Sequence, residues 1–194
     1  IYKTIDFSKT REAWATVERV DGSSYRRAGV RMLVLDNGTY IGGISGGCLE
    51  GDALRRAQKA ITLDKPSVIT YDTTQDDGAQ IGAGLGCNGI IDVLFTPLHG
   101  DDTNNPLQIL SALIGTRESR IVVSITGCVD VLNVLGKSFL FTSDEAFIHA
   151  FPVSLISIFV LTDIKNSMLK QSPATFNYIT EKYGEIKIFI EVIS

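Results

Sequence analysis

The spacing of apolar and polar positions changes several times along the chain, and each change predicts an element. Ser8 reads as the cap of a short helix through Trp14, and Ala15–Val20 as a strand. Arg31–Asp36 is a second strand, ending at Asn37-Gly38, a two-residue hairpin signal, with Tyr40–Ile44 pairing back. Over Cys48–Leu63 the apolar residues Leu49, Ala53, Leu54, Ala57 and Ile61 recur at helical spacing, and Pro66 ends the helix. Ser67–Tyr71 and Ile90–Phe95 read as strands. Residues 98–106 are polar and carry Gly, Asn and Pro, so they read as a linker. A second series follows: helix Leu107–Gly115, strands Ile121–Thr126 and Lys137–Thr142, a helix near Ser157–Lys170, then strands Ala174–Tyr178 and Glu185–Val192. The expected fold is α/β, with mixed sheets and helices.

The two series are read as two related halves. Shifting the first by 107 positions places Gly29-Val30-Arg31-Met32-Leu33-Val34 on Gly136-Lys137-Ser138-Phe139-Leu140-Phe141, Pro66 on Pro173 and Tyr71 on Tyr178. At the end the offset becomes 95, with Ile91-Asp92-Val93-Leu94-Phe95 falling on Ile186-Lys187-Ile188-Phe189-Ile190. Residues 1–98 are therefore expected to form a glycine-loop domain and residues 107–194 a degenerate repeat of the same unit. The repeat lacks the glycine loops, because Gly42–Gly51 falls on His149–Ile158, which has no glycine.

Eleven of the 18 glycines fall in two windows, 38–51 and 78–89, which marks these windows as local designs. A scaffold that appears once with these loops and once without them does not need them in order to fold. Their retention in the first half points to function. The first window, Gly42-Gly43-Ile44-Ser45-Gly46-Gly47-Cys48-Leu49-Glu50-Gly51-Asp52, joins a strand to a helix. Glycines let backbone approach a ligand closely, and a helix start adds unpaired N–H groups and a positive dipole end that suit a phosphate. Cys48 is expected in the first helical turn, where the dipole favours the thiolate, a soft metal ligand. Glu50 reads as a first-turn acid complementing the dipole rather than as a base. The second window holds Gly84-Leu85-Gly86-Cys87-Asn88-Gly89, formally GxGxxG. A dinucleotide site needs a helix after that motif, and here a strand follows. A loop bringing Cys87 and Asn88 beside the first window is the better reading. Ser23-Ser24-Tyr25-Arg26-Arg27 adds hydroxyls and paired guanidiniums able to grip a phosphate or carboxylate. The acidic run Asp72–Asp77 misses calcium-loop spacing and reads as a turn.

Charge and composition narrow the function classes. The chain of 194 residues carries 18 basic and 22 acidic side chains, a net −4, which argues against nucleic acid as a partner. With two histidines, His99 and His149, a three-histidine metal site is excluded and no nucleophile–base pair can be argued. Cys48, Cys87 and Cys128 are sparse, odd in number and form no CxxC pair, which fits a reducing cytoplasm. Residues 146–162 carry no formal charge, but they are shorter than a membrane span and include Pro152 and two serines, so they read as a buried or interface segment. The opening residues lack a signal-peptide apolar core, and the first is Ile1 rather than Met, as in a piece of a longer protein.

Gly22–Arg27, Arg31-Met32-Leu33-Val34, Gly42–Gly51, Tyr71-Asp72-Thr73-Thr74, Gly84–Gly89 and Ile91-Asp92-Val93-Leu94, taken in order, resemble the XdhC/CoxI family, accessory proteins of molybdenum hydroxylases such as xanthine dehydrogenase. The resemblance spans about the first 98 residues; residues 107–194 match only loosely. It implies binding of the molybdenum cofactor (molybdopterin), its protection during sulfuration and its delivery to the apo-enzyme, and it implies no turnover chemistry. The implied partners are a molybdenum hydroxylase apo-enzyme and a sulfur-donating cysteine desulfurase; a homodimer is compatible, and neither nucleic acid nor membrane is expected. The residues nominated for the cofactor are Ser24, Arg26, Arg27, Gly43, Ser45, Gly46, Gly47, Cys48, Glu50, Gly86, Cys87 and Asn88, with Cys48 as metal ligand. Family members commonly carry a C-terminal Rossmann-like domain, which this chain does not show, so functions resting on that domain are not carried over. A nucleotide-dependent oxidoreductase and a non-catalytic interaction module using residues 146–162 are the competing readings.

Overall fold

The computed structural model describes residues 10–74, 88–102, 105–115, 120–127, 135–141, 174–180 and 184–193. The chain divides into two compact units, Ile1–Asp102 and Thr103–Ser194.

In the first unit, strands β1 (Glu12–Ser23), β2 (Arg31–Leu35), β3 (Tyr40–Gly42), β4 (Ser67–Asp72) and β5 (Asn88–Leu98) form one sheet in the order β3-β2-β1-β5-β4. Helix α1 (Glu50–Leu63) links β3 to β4. Every pairing is antiparallel, which corrects the expected mixed sheets. Alternation along β1 sends Ala13, Ala15 and Val17 into the core with Met32, Val34, Ile91, Val93 and Phe95. Ala53, Ala57, Ala60 and Ile61 of α1 complete that core, small side chains letting the helix lie close to the sheet. The other face of the sheet is apolar as well, with Trp14, Leu33, Leu94 and Leu98 all buried. Helix α1 ends where Asp64 takes a left-handed conformation (φ 51°), and Lys65 N–H reaches Ala60 O, just before Pro66.

Two local expectations change. Trp14 lies in β1, not in a helix, paired with Leu33 of β2 and Thr96 of β5; Ser8 lies outside the described residues. The hairpin after β2 turns through Asp36–Thr39, not through two residues alone: Leu35 N–H bonds Thr39 O and Gly38 N–H bonds Leu35 O, with Gly38 at φ 85°.

The second unit pairs β6 (Arg120–Gly127), β7 (Ser138–Phe141), β8 (Ala174–Thr180) and β9 (Gly184–Ile193) in the order β7-β6-β9-β8, again antiparallel. Helix α2 (Pro106–Ala112) precedes them, with Asn105 as N-cap accepting from Leu107 N–H and Pro106 in the first turn. The order matches β2-β1-β5-β4 of the first sheet. Val17 N–H bonds Val30 O at 2.9 Å and Val17 O takes Gly29 N–H at 2.8 Å; Ile125 does the same with Lys137 O at 3.0 Å and Gly136 N–H at 2.8 Å. Gly29 and Gly136 both have positive φ, 88° and 80°. The pairing shifts between Val17 and Arg19 against β5, and between Ile125 and Gly127 against β9. The helix expected near Ser157–Lys170, the segment 146–162 and His149 fall outside the described residues.

Candidate functional site

The strand-to-helix connection between β3 and α1 is built around one carboxylate. Glu50 is buried at the start of α1, and the glycine loop before it wraps its side chain. Oε1 accepts the N–H groups of Ile44 at 3.0 Å, Ser45 at 2.9 Å and Gly46 at 3.0 Å. Oε2 accepts Gly47 N–H at 2.7 Å and the Ser45 hydroxyl at 2.6 Å. Ser45 Oγ accepts Leu49 N–H at 2.8 Å in turn. Burial opposes ionisation of Glu50, but the bonds from the Ser45 side chain and from the Ser45 and Gly46 backbone outweigh it and bring its pKa down to about 2.

The glycines of this loop serve different ends. A Cβ on Gly42 would lie 2.5 Å from Arg31 O, and one on Gly43 would lie 2.9 Å from Glu50 Oε1, so both are required by packing. Gly46 and Gly47 turn the chain at φ 97° and 128°, conformations that side chains other than glycine rarely adopt. Gly51 is exposed, with open space where a Cβ would stand.

Two expectations are corrected here. The amides of residues 44–47 were expected to face a phosphate; they converge on Glu50, which does for the loop what an anion would do. Glu50 is therefore more than a dipole complement. Cys48 was expected in the first helical turn, but α1 begins at Glu50 with Leu49 as N-cap, so Cys48 stands in the loop, half-buried beside the core, and the helix-dipole argument for its thiolate loses its basis. Among the described residues no group of three metal-ligating side chains occurs.

Helix α1 is fixed to β4 through Asp52, two residues beyond Glu50. Asp52, buried, accepts from Arg55 at 3.1 Å, from Arg56, and from the Tyr71 hydroxyl at 2.9 Å. Burial opposes ionisation of Asp52, and the bonds from Arg56 and Tyr71 outweigh it, so its pKa is lowered. Burial and the neighbouring Asp52 push the Tyr71 phenol up. The Arg56 guanidinium stands 5.8 Å from the Tyr71 ring centre.

The loop after β1 reaches the same place. Tyr25 is 70% exposed, yet its Cβ and Cγ lie 3.7 and 3.8 Å from where a Gly46 Cβ would be. Ser24 Oγ accepts Arg26 N–H at 3.3 Å, and Arg26 and Arg27 are exposed. β5 begins at Asn88, whose backbone pairs with Ser23; a Cβ on Gly89 would come within 2.6 Å of Asp21 O, so that glycine belongs to strand packing. Thus Ser24, Arg26 and Arg27 lie on the loop after β1, Gly43, Ser45, Gly46, Gly47 and Cys48 on the loop before α1, and Glu50 at the first position of α1, with Tyr25 of the first loop near Gly46 of the second, whereas Gly86 and Cys87 fall outside the described residues. GxGxxG is followed by strand β5 and not by a helix, which removes the structural context for a dinucleotide site. Asp72 accepts from both the N–H and the hydroxyl of Thr74, the local turn expected there. Tyr25, Asp52 and Tyr71 stand within the motifs read from the sequence, which assign them no role, whereas Glu50 is nominated there but reads as a dipole complement rather than as the anchor of the loop.

The segment holding this arrangement matches the family model described as "XdhC and CoxI family" over residues 8–72. A probable xanthine dehydrogenase subunit from Bacillus subtilis is 43% identical over 79 residues, 41% of this chain and 24% of that protein. The crystal structure of a xanthine dehydrogenase from Bacillus halodurans matches with a TM-score of 0.57 and 30% identity, over 74% of this chain and 40% of that one. The chain thus spans well under half the length of either relative. No helix among the described residues is long and apolar enough to cross a membrane.

Proposed function

We propose that this chain is an accessory protein that binds the molybdenum cofactor and assists its sulfuration and insertion into a xanthine-dehydrogenase-type molybdenum hydroxylase. The observation that carries the reading is the glycine loop of the XdhC/CoxI segment: Glu50 holds it in one shape, and Cys48 follows directly, with the arginine loop alongside. The names of both relatives connect that segment with xanthine dehydrogenase. A preshaped loop costs little ordering entropy on binding, which suits a carrier that must take up and release a labile ligand. In this reading Cys48 supplies a sulfur ligand to molybdenum, and Arg26 and Arg27 meet the phosphate. The amides around Glu50 take no part in phosphate binding. The client apo-enzyme, a cysteine desulfurase as sulfur source and a cytoplasmic setting belong to the same proposal. The residues from 107 onward are proposed to be a degenerate copy of the first unit that retains the sheet and not the loops, supported by the matching register around Val17 and Ile125.

The test is anaerobic incubation of the chain with molybdenum cofactor, read by native mass spectrometry. A one-to-one adduct that transfers to an apo-hydroxylase is the expected result. A chain that binds a nicotinamide nucleotide and not the cofactor would overturn the proposal.

A further inference from the structure

The direction of the loop amides has a consequence for how a ligand meets this site. The N–H groups of residues 44–47 converge inward on Glu50, while Gly46 and Gly47 themselves are exposed and present backbone without a side chain. Nothing lies within 4 Å of a Cβ built on Gly47. Beside this bare strip stands Tyr25, 70% exposed, whose Cβ and Cγ lie 3.7 and 3.8 Å from where a Cβ on Gly46 would stand. Displacing Glu50 to free the amides would strand a buried charge, so an incoming phosphate does not exchange with it. What the surface offers is an exposed aromatic side chain, two exposed glycines and two exposed arginines, Arg26 and Arg27, in a chain whose net charge is negative.

We propose that Tyr25 and the exposed backbone of Gly46–Gly47 form a stacking platform for a flat heteroaromatic ring, and that Arg26 and Arg27 take the anionic end of the same ligand. The proposal rests on the reading of this site as a cofactor-binding one, and it identifies the part of the ligand that is recognised: the ring is held by stacking, the phosphate by side chains. Stacking needs a side-chain-free neighbour, since a Cβ at Gly47 would project into open space where the ring must lie.

The experiment uses the whole chain and three probes: an oxidised pterin bearing a phosphate monoester, the same pterin without phosphate, and inorganic phosphate. Binding is read by quenching of pterin fluorescence and by calorimetry. The parent is expected to bind both pterins, the phosphorylated one more tightly, and inorganic phosphate far more weakly. Tyr25→Ala should weaken both pterins about tenfold, while Tyr25→Phe stays within about twofold of the parent. Tyr25→Leu keeps apolar bulk without a π-face and should resemble Tyr25→Ala. The double variant Arg26→Gln with Arg27→Gln should lose the preference for the phosphorylated pterin and leave the other probe unaffected. Equal affinity of Tyr25→Ala and the parent for the phosphate-free pterin would overturn the platform. So would a parent that binds inorganic phosphate as tightly as the pterin phosphate, or one that binds no pterin. A parent that binds the pterins through Tyr25 but not the intact molybdenum cofactor would leave this inference standing and remove the functional proposal above it.

Discussion

Ser45 and Glu50 close a ring within the glycine loop: the serine hydroxyl donates to Glu50 Oε2 at 2.6 Å and takes Leu49 N–H at 2.8 Å. Ser45 is 1% exposed, so water does not replace either bond when the hydroxyl is removed. Ser45→Ala leaves the Leu49 N–H without its side-chain acceptor and Glu50 Oε2 with only the Gly47 N–H. The expected cost is about 2 kcal/mol, read as a shift in urea midpoint. Ser45→Thr, which keeps the hydroxyl, should cost less.

Glu50 makes the first unit sensitive to acid. Its pKa is lowered from 4.5 to about 2, so the stability it contributes is fully present above pH 4.5 and lost as pH falls towards 2. The shift corresponds to about 3 kcal/mol. Glu50→Gln turns an amide nitrogen towards N–H donors. It should be less stable at pH 7 and should lose less on acidification from 4.5 to 2, as measured by chemical denaturation across that range. Amide exchange at residues 44–47 should quicken in the variant.

Tyr71→Phe removes the hydroxyl that links β4 to Asp52 and leaves the two arginine contacts in place. The expected loss is about 1–2 kcal/mol by denaturant titration. A larger loss would mean that Asp52 depends on the phenol for its orientation.

Gly51 sits in the first turn of α1, exposed, without a neighbour that a methyl group would strike and without a positive φ. Gly51→Ala should therefore stabilise the unit by about 0.5–1 kcal/mol. Calorimetric melting checks the sign.

The three cysteines separate by retention of molybdenum cofactor under identical anaerobic conditions. Cys48→Ser should weaken retention strongly without unfolding the chain, because the residue is half-buried at the edge of the core and serine is nearly isosteric. Cys128→Ser should change little, and Cys87→Ser should fall between the two. Equal retention by Cys48→Ser and the parent would make that thiol structural.

The sequence by itself determined most of the elements. Period-two and helical spacings located β2, β4, β5, α1 and α2 to within a few residues, since those patterns follow from which side chains can share a buried face. The stretch through Trp14 misled, because both faces of β1 are apolar there and the alternation that separates strand from helix is blurred. The glycines announced that the backbone must turn between β3 and α1, but not what its amides would meet. That was decided by tertiary structure: once α1 docks through its alanines onto the sheet, Glu50 is carried under the loop, and a buried carboxylate must gather every donor within reach. Tyr25 could not be placed from the sequence for the same reason, since its neighbour Gly46 lies 21 positions away and meets it only through the fold.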